Sequence, residues 1–473
     1  MTSIKKLVRI VIAVMVICLV AMPADARKKA PKAPKYVFYM IGDGMGVNEV
    51  FGAEIFNQAT GKGPAQINFA HFPYRSFVTT FSASSLVTDS AAGGTALATG
   101  VKTYNDGLGV DANGNPVSNL AEWAHAAGRG AGVATSVGVN HATPAAFYGH
   151  AKGRSEYEKL AEQLIATDAI DFAAGAGFLN EARKTGHDSQ YLEKKATDAG
   201  IAVLHGKSQF KNLGKLKKRA FCFSADPKET ELKYAVDRRG DETTLGDFVE
   251  AGIEYLYGHF AKKGFFFMIE GGKIDYAGHN DDGVADFMEL NDFAATVDIV
   301  LAFYDKHPDE TLIVITADHE TGALMLGTGQ YEMHADRLSA QSYSENVLNT
   351  MFRELSEHNA PSWDQVKSFL KQNIGLWGTI PVNERQEAIF KEMYDRQFGS
   401  RENDQVSTLY SSSTRIVSEA LDYANKQAGF SWAHGSHTGS PVGLYVKGAT
   451  AEKFMSCQDN TDIPKMIKAL AGY

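Results

Sequence analysis

The sequence has few cysteines and no excess of basic residues. Three of its 473 residues are cysteine, and only Cys222 and Cys457 lie beyond the N-terminal apolar segment. Any metal centre must therefore use carboxylates and imidazoles instead of thiolates. Sequence alone leaves open whether these two cysteines pair or stay free. Lys and Arg number 47 against 56 Asp and Glu, giving a net charge of −9, which argues against a nucleic-acid-binding surface.

The apolar run at the N-terminus is short. Basic residues precede the almost wholly apolar stretch Ile10 to Met22, and Ala24-Asp25-Ala26 then gives a small-x-small pattern. The run is too short, and its flanks are wrong, for a comfortable membrane span. We expect residues 1–26 to be a signal peptide cleaved near Ala26, so that the mature protein is periplasmic or secreted and has no stable membrane anchor. The alternative is an uncleaved anchor.

Repeats and low-complexity tracts are absent, and short apolar runs alternate with helical patterns instead. The strand-like runs are 36–41, 132–135, 264–269, 311–316 and 442–446. The amphipathic stretches between them include 120–127, 156–166 and 286–303. Continuously apolar strands separated by helices are typical of a mostly parallel sheet covered on both faces. The predicted fold class is therefore α/β, with a large, mostly parallel sheet.

Two regions depart from this alternation. Residues 327–430 carry few strand-like runs, and their helical patterns cover 345–357, 363–372, 383–398 and 414–427. They indicate a mainly helical insertion into a sheet domain made of residues 27–326 and 431–473. A second, smaller insertion is expected at 180–235, where Lys and Gly are frequent and patterning is weak.

Polar residues fall repeatedly where predicted strands end. Asp43 follows the first strand, Glu270 the third, and Asp318-His319 the fourth. Strand carboxyl ends border the ligand crevice of an open α/β sheet, and carboxylates gathered there repel unless cations join them. Asp275 and His279 are four apart and would share one helix face. Each residue alone is equally well explained as a turn former, a helix cap or a core residue. The combination predicts a metal site.

Ser90 lies in the segment Val87–Ala96 (VTDSAAGGTA), where it would open a helix of small residues. A serine at a helix start is commonly an N-cap. The functional interpretation uses the same position, because free amide groups and the positive end of the helix dipole favour an attacking oxyanion and a phosphate. Small residues let that phosphate approach the backbone.

These blocks together resemble the alkaline phosphatase family. The matching blocks, in the family's order, are 41–46 (IGDGMG), 87–111 (VTDSAAGGTALATGVKTYNDGLGVD), 141–146 (HATPAA) with His150 and Arg154, 270–275 (EGGKID) with His279, 316–319 (TADH) and 437–439 (HTG). They span the chain from residue 36 to 447.

The resemblance implies hydrolysis of phosphate monoesters through a phosphoserine on Ser90, with Arg154 binding the phosphate. It implies a first zinc ion held by Asp275, His279 and His437. It implies a second held by Asp43, Asp318 and His319 with Ser90. A magnesium ion is implied at Asp43, Thr143 and Glu270. These ligand types suit the metals, since imidazole with carboxylate favours zinc and an all-oxygen set favours magnesium.

The chain departs from the family's well-known bacterial branch at two positions. His141 stands where that branch has Asp and animal members have His, so it is expected just outside the magnesium ligands, where it alters metal preference. Tyr276 replaces a Lys, and the loss of that cation is expected to weaken the binding of product phosphate. Neutral drift is the alternative for both. Residues 327–430 occupy the place of the crown domain of animal members, as a lid, a subunit contact or a substrate filter. The resemblance also implies a possible homodimer.

Other members of the superfamily are phosphodiesterases and sulfatases. Arg154 and the third metal set favour monoesters, which carry one more negative charge than diesters. A sulfatase would place a modifiable cysteine in a C-x-P-S-R context, and neither Cys222 nor Cys457 has one. A non-catalytic phosphate- or metal-binding protein would lack the nucleophile or a ligand, and here none is missing.

Overall fold

A nine-stranded sheet forms the centre of the molecule in the computed structural model, which describes residues 32–329, 331–357, 359–399 and 405–473. The proposed signal peptide, 1–26, lies outside the described residues. The strands are β1 (Tyr36–Gly42), β2 (Tyr74–Val78), β3 (Gly130–Thr135), β4 (Phe172–Gly175), β5 (Ala202–His205), β6 (Ala220–Phe223), β7 (Phe265–Gly271), β8 (Thr311–Thr316), β9 (Glu320–Thr321), β10 (Met325–Leu326), β11 (Gln405–Ser407), β12 (Ser412–Thr414), β13 (Phe430–Ser431), β14 (His437–Thr438) and β15 (Val442–Gly448).

The large sheet has the order β2-β15-β8-β1-β7-β3-β4-β6-β5. Strand β1 pairs in parallel with β7 and β8, and β3 to β6 extend the parallel arrangement. Strand β15 runs antiparallel between β8 and β2. Every residue of β1, β7 and β8 is buried, as expected for central strands with both faces covered.

Helices cover both faces and confirm the predicted α/β class. They are α1 (Val47–Thr60), α2 (Ser90–Thr99), α3 (Leu120–Ala126), α4 (Ala142–Ala145), α5 (Tyr157–Ala166), α6 (Ala182–Thr185), α7 (Ser189–Asp198), α8 (Leu245–Phe260), α9 (Lys273–His279), α10 (Gly283–Tyr304), α11 (Glu345–Ser356), α12 (Trp363–Asn373), α13 (Glu384–Tyr394), α14 (Arg415–Ala428) and α15 (Asp462–Ala471). The start of α8 is set by its own side chains, since Thr244 and Asp247 form a reciprocal capping box there.

The five predicted strands are present as β1, β3, β7, β8 and β15, each within two residues of its expected ends. The prediction of a separate insertion at 180–235 is wrong, because β5 and β6 lie there and complete one edge of the sheet. Both strands are only four residues long. A run that short shows no clear period, so the pattern analysis missed it.

The described part of residues 327–430 contributes no strand to the large sheet. It holds the four predicted helices, α11 to α14, and a small antiparallel hairpin of β11 and β12. Ser344, Ser362 and Asn383 cap the first three of these helices through their side chains. None of the helices described is long and apolar enough to cross a bilayer. Cys222 and Cys457 are both free and buried.

Candidate active site

The polar residues predicted at strand ends lie together at one edge of the sheet. Asp43 and Asp318 each stand two residues beyond a paired position, Ile41 opposite Thr316. Glu270 pairs directly with Ile41 from strand β7. Because the parallel strands keep one register, the three carboxylates arrive close to one level of the sheet.

Ser90 is the first residue of α2, and the N-cap is Asp89. The Asp89 carboxylate accepts a hydrogen bond from the amide of Ala92 at 2.9 Å, so the capping role does not belong to Ser90. The buried Ser90 Oγ lies 3.2 Å from Nε2 of His319. The hydroxyl therefore stands at the positive end of the helix, beside a predicted metal ligand.

Glycine lets α2 approach the acids closely. A Cβ added at Gly93 would lie 3.0 Å from the carbonyl oxygen of Asp318 and 3.1 Å from its Cβ. Both contacts are tight against rigid groups. The small residues after Ser90 thus allow the helix start to sit against strand β8.

Two imidazoles have their tautomers fixed by backbone carbonyls. Nδ1 of His279 lies 2.9 Å from the carbonyl oxygen of Gly435, and Nδ1 of His437 lies 3.0 Å from that of Thr88. A carbonyl only accepts, so each Nδ1 carries a proton and each Nε2 is the nitrogen that faces the hollow. The two Nε2 atoms are 3.1 Å apart. A proton shared between them, or a cation bound to both, accounts for this approach.

The first predicted zinc set converges on that point. Helix α9 puts Asp275 and His279 on one face, with Asp275 Oδ1 lying 3.4 Å from Nε2 of His279. The same oxygen is 3.6 Å from Nε2 of His437. One carboxylate and two imidazoles at these spacings form a donor set that suits zinc.

The second predicted set lies beside it. Nε2 of His319 is 3.4 Å from Oδ1 of Asp43 and 3.3 Å from Oδ2 of Asp318. The imidazole of His319 stacks on that of His437 with ring centroids 3.6 Å apart, so the two predicted sets lie side by side and are in direct contact. Asp318 Oδ1 accepts a hydrogen bond from the Gly44 amide at 3.2 Å, which fixes the orientation of the carboxylate.

The third set is gathered around Asp43. Thr143 Oγ1 donates to Asp43 Oδ2 at 3.3 Å. Asp43, His141 and Glu270 have ligand atoms within 4.8 Å of one another. His141 thus adjoins this set directly, with its Nδ1 buried and without a partner. Burial, and then the nearby Arg154, lower the pKa of His141 to about 3, so the imidazole is neutral.

The electrostatics of the site require positive charge. Burial, then neighbouring carboxylates, raise the pKa of Asp43 and of Asp318 well above the usual value. Burial raises the pKa of Glu270 to about 7. Burial also acts to raise the pKa of Asp275, but the imidazoles of His279 and His437 outweigh it and hold that pKa below the usual value. Lone carboxylates that close would keep protons at neutral pH.

Unpaired oxygen atoms show where the positive charge is missing. Each of the four acids has one buried carboxylate oxygen without a hydrogen-bond partner among the described residues; these atoms are Asp43 Oδ1, Glu270 Oε1, Asp275 Oδ2 and Asp318 Oδ2. Buried unpaired acceptors are costly and rare. Their concentration in one hollow, beside imidazole nitrogens, fits divalent cations.

The guanidinium of Arg154 lies close enough to the acids to lower the pKa of Asp43 against the effect of burial. Its Nη1 lies 3.4 Å from Oδ2 of Asp89, and its Nη2 lies 3.3 Å from Nε2 of His141. Burial acts to lower the pKa of Arg154, but nearby groups including Asp89 and Asp43 raise it above the ordinary value. The guanidinium is therefore a fixed cation at the edge of the hollow, able to grip a tetrahedral oxyanion as a planar fork.

Tyr276, the residue expected to stand in place of a Lys, is buried. Its ring lies edge-on to His141, with centroids 6.0 Å apart. The buried ammonium of Lys273 lies 5.2 Å from the Tyr276 ring centroid and 3.7 Å from that of Tyr234. A cation is thus close to the site, though held behind aromatic rings.

Three positioning residues escaped the sequence analysis. Thr321 Oγ1 donates to Asp275 Oδ1 at 2.5 Å and lies 3.2 Å from Nδ1 of His319, so it links the two zinc sets. Thr135, the last residue of β3, donates to Glu270. Asp89 both caps α2 and pairs with Arg154. The position of Thr135 at a strand end was the available signal; Thr321 gave none.

Comparisons with known proteins agree with this geometry. The family model described as "Alkaline phosphatase" matches residues 34–473. The chain is 30% identical to alkaline phosphatase 4 of Bacillus subtilis over 94% of its own length and 90% of the relative's.

Solved structures give the same result. A cold-active alkaline phosphatase from Shewanella sp. superposes with a TM-score of 0.73 at 27% identity, covering 92% of this chain and 99% of that one. The Thermus thermophilus enzyme shares the fold, with a TM-score of 0.75 at 24% identity over 95% of each chain. The chain therefore belongs to the alkaline phosphatase family, the metal-dependent hydrolases of phosphate monoesters.

Proposed function

We propose that the chain hydrolyses phosphate monoesters through a phosphoserine on Ser90, at a site that takes two zinc ions and one magnesium ion. The first zinc would be held by Asp275, His279 and His437. The second would be held by Asp43, Asp318 and His319 next to Ser90. Magnesium would be held by Asp43, Glu270 and Thr143. The observation that carries the proposal is the convergence of His279 Nε2 and His437 Nε2, 3.1 Å apart, with buried carboxylate oxygens that have no hydrogen-bond partner among the described residues.

When bound, the metal ions would supply Lewis-acid stabilisation of negative charge on the attacking and leaving oxygens. The chain's own groups perform the other tasks. Arg154 grips two non-bridging oxygens of the phosphoryl group and orients it toward Ser90. The positive end of the α2 dipole, at Ser90, favours the same oxyanion. Attack by Ser90 Oγ forms the Ser–O–P bond as the ester P–O bond breaks, and water then cleaves the phosphoserine to release inorganic phosphate.

The test is a covalent trap combined with metal analysis. Metal-loaded protein mixed with ³²P-labelled p-nitrophenyl phosphate and quenched in acid should carry label on one serine peptide. The Ser90→Ala variant should carry no label and lose nearly all activity. Ser82→Ala is a matched control, because Ser82 is also buried but bonds only within its own loop. Label retained in Ser90→Ala would show that the nucleophile is another residue.

Substrate class and metal content are separable readouts. We expect p-nitrophenyl phosphate to react much faster than bis(p-nitrophenyl) phosphate, because Arg154 and the third metal set match the extra charge of a monoester. A higher rate on the diester would refute the monoester assignment. Elemental analysis of the mature protein should find zinc and magnesium close to 2:1.

Export and a homodimer remain proposals as well. Support for a dimer comes from the sheet edge at β2, where Phe77 is 61% exposed, and from the nearby loop, where Leu86 is 82% exposed. Apolar side chains on an open sheet edge favour a covering partner. The double substitution Phe77→Ser and Leu86→Ser should convert the dimer into a monomer, as measured by light scattering. A monomeric wild-type protein would refute the dimer.

The test of export is N-terminal sequencing of the secreted protein, which should begin after Ala26.

A further inference from the structure

The helical insertion reaches the active site through the hairpin of β11 and β12. Two hydroxyls of its turn bind one side chain: Thr408 Oγ1 donates to Asn280 Oδ1 at 2.7 Å, and Ser411 Oγ donates to the same oxygen at 2.8 Å. Asn280 directly follows His279, a predicted zinc ligand. The turn of the hairpin is therefore tied to the backbone that carries the metal site.

This attachment places Tyr410 over the site. Its ring stacks on that of Tyr276 with centroids 3.7 Å apart and an interplanar angle of 18°. It meets His279 edge-on at 5.2 Å and His141 at 6.3 Å. Tyr410 thus contacts one predicted zinc ligand, His279, and the imidazole of His141 that adjoins the predicted magnesium set, and the stacked Tyr276 holds its ring in a fixed plane.

The hydroxyl of Tyr410 is buried and makes no hydrogen bond to any of the described residues. The ring that carries it lies against Tyr276, His279 and His141. His141 in turn lies 3.3 Å from Nη2 of Arg154, so the hydroxyl is a donor close to the guanidinium. A buried donor without an acceptor is unfavourable, so a bound acceptor at this place would be stabilised.

We propose that the Tyr410 hydroxyl donates a hydrogen bond to an oxygen of the phosphoryl group gripped by Arg154. This inference rests on the proposed function for the position of that group. The insertion then supplies a substrate-binding residue to the site of its own chain, which makes it more than a distant lid. The stacked rings of Tyr276 and Tyr410 lie together beside His141.

The alternative is that Tyr410 only packs against Tyr276. Two substitutions separate these roles. Tyr410→Phe removes the hydroxyl and keeps the stacked ring, while Tyr410→Ala removes both. Leu409→Ala is the matched control, because Leu409 is the neighbouring residue of the same turn and is 63% exposed. Thermal melting of each variant checks that the fold is retained.

The experiment uses full-length, metal-loaded protein and measures the Kd of inorganic phosphate by calorimetry, together with kcat and KM for p-nitrophenyl phosphate. Tyr410→Phe should weaken phosphate binding about 10- to 100-fold, the usual effect of one hydrogen bond to a charged acceptor, and should lower kcat/KM in parallel. Leu409→Ala should match the wild type. Tyr410→Ala should add a further loss from the missing stack.

Phosphate binding by Tyr410→Phe equal to that of the wild type would overturn the inference. The same holds if the wild type fails to bind phosphate. A wild type that binds phosphate but does not hydrolyse the ester would refute the proposed reaction alone, and the Kd values would still decide the role of Tyr410.

Discussion

Removing the metals should destabilise the protein, and the loss should grow as pH rises. In the metal-free protein, Asp43, Glu270, Asp275 and Asp318 remain buried in one hollow. The pKa of Glu270, raised by burial to about 7 from its ordinary 4.5, gives the scale. A group whose folded pKa is raised stays protonated in the native state at pH values where the unfolded chain has already ionised. Its native state therefore loses stability as pH rises from about 4.5 to 7.

The size of the effect follows from that pKa. One pKa unit corresponds to about 1.4 kcal/mol, so Glu270 alone should cost ~3 kcal/mol of unfolding free energy above pH 7. Asp43 and Asp318 shift in the same direction and add to the loss. For a chain of this length, ~3 kcal/mol lowers Tm by about 3 °C. We therefore expect chelation to lower Tm by at least that amount at pH 8, while at pH 5.5 the Glu270 contribution falls to roughly 1.4 kcal/mol, under half of its value at pH 8.

The assay is calorimetric melting of metal-loaded and EDTA-treated protein at these two pH values. Asp281→Asn is the matched control. Burial, then Asp422, raise the pKa of Asp281 to about 7, but Asp281 lies outside the three sets, so its replacement should shift both forms equally. Glu270→Gln should reduce the extra loss between the two pH values in the EDTA-treated protein. An unchanged Tm in excess chelator at pH 8 would refute the electrostatic account of the site.

Three further changes test single contacts. Thr321→Val should weaken zinc binding ~10- to 100-fold, because Asp275 and His319 lose the hydroxyl that orients them. A zinc titration with a competing chelator measures the affinity, and Thr328→Val is the control, because the Thr328 hydroxyl bonds only to a backbone carbonyl of the insertion. Equal affinities of Thr321→Val and the wild type would contradict the prediction. Arg154→Lys should raise the inhibition constant of inorganic phosphate about tenfold while metal content stays the same, since an ammonium cannot form the planar fork; an unchanged constant would remove Arg154 from the phosphate site. Tyr276→Lys should tighten product phosphate and lower kcat where release limits turnover; weaker phosphate binding by this variant would show that the stack with Tyr410 matters more than the added charge.

The central sheet was predictable because its central strands can be recognised from their apolar composition. Strands β1, β7 and β8 contain the unbroken apolar runs 36–41, 265–269 and 312–315, and each run is followed within three residues by glycine or an acid. Strands β4, β5 and β6 each have only four residues, and pairing with neighbours, not local pattern, makes them strands. The error at 180–235 has this cause.

The convergence of the candidate site residues was predictable in part because each belongs to a short block with its own pattern. The blocks that contain Asp43, Ser90 and Glu270 could be recognised without knowledge of their distances. The hydrogen bonds that hold the ligands were different. Thr321 bonds to Asp275, a residue 46 positions away, and a contact of that span leaves no periodic mark in the sequence. Tyr410 was beyond reach for the same reason, since only the docking of its hairpin on Asn280 brings it to the site.

One property of the sheet explains both the site and its dependence on cations. Parallel strands in register deliver Asp43, Glu270 and Asp318 to neighbouring positions whatever their separation along the chain. The same register that makes the site accurate forces buried like charges together, so the strands alone cannot hold it in the ionised state. Imidazoles from α9 and β14, and hydroxyls from Thr135 and Thr321, orient the acids but bring no permanent positive charge. Divalent cations, on which the family depends, would supply the positive charge that keeps these buried acids ionised.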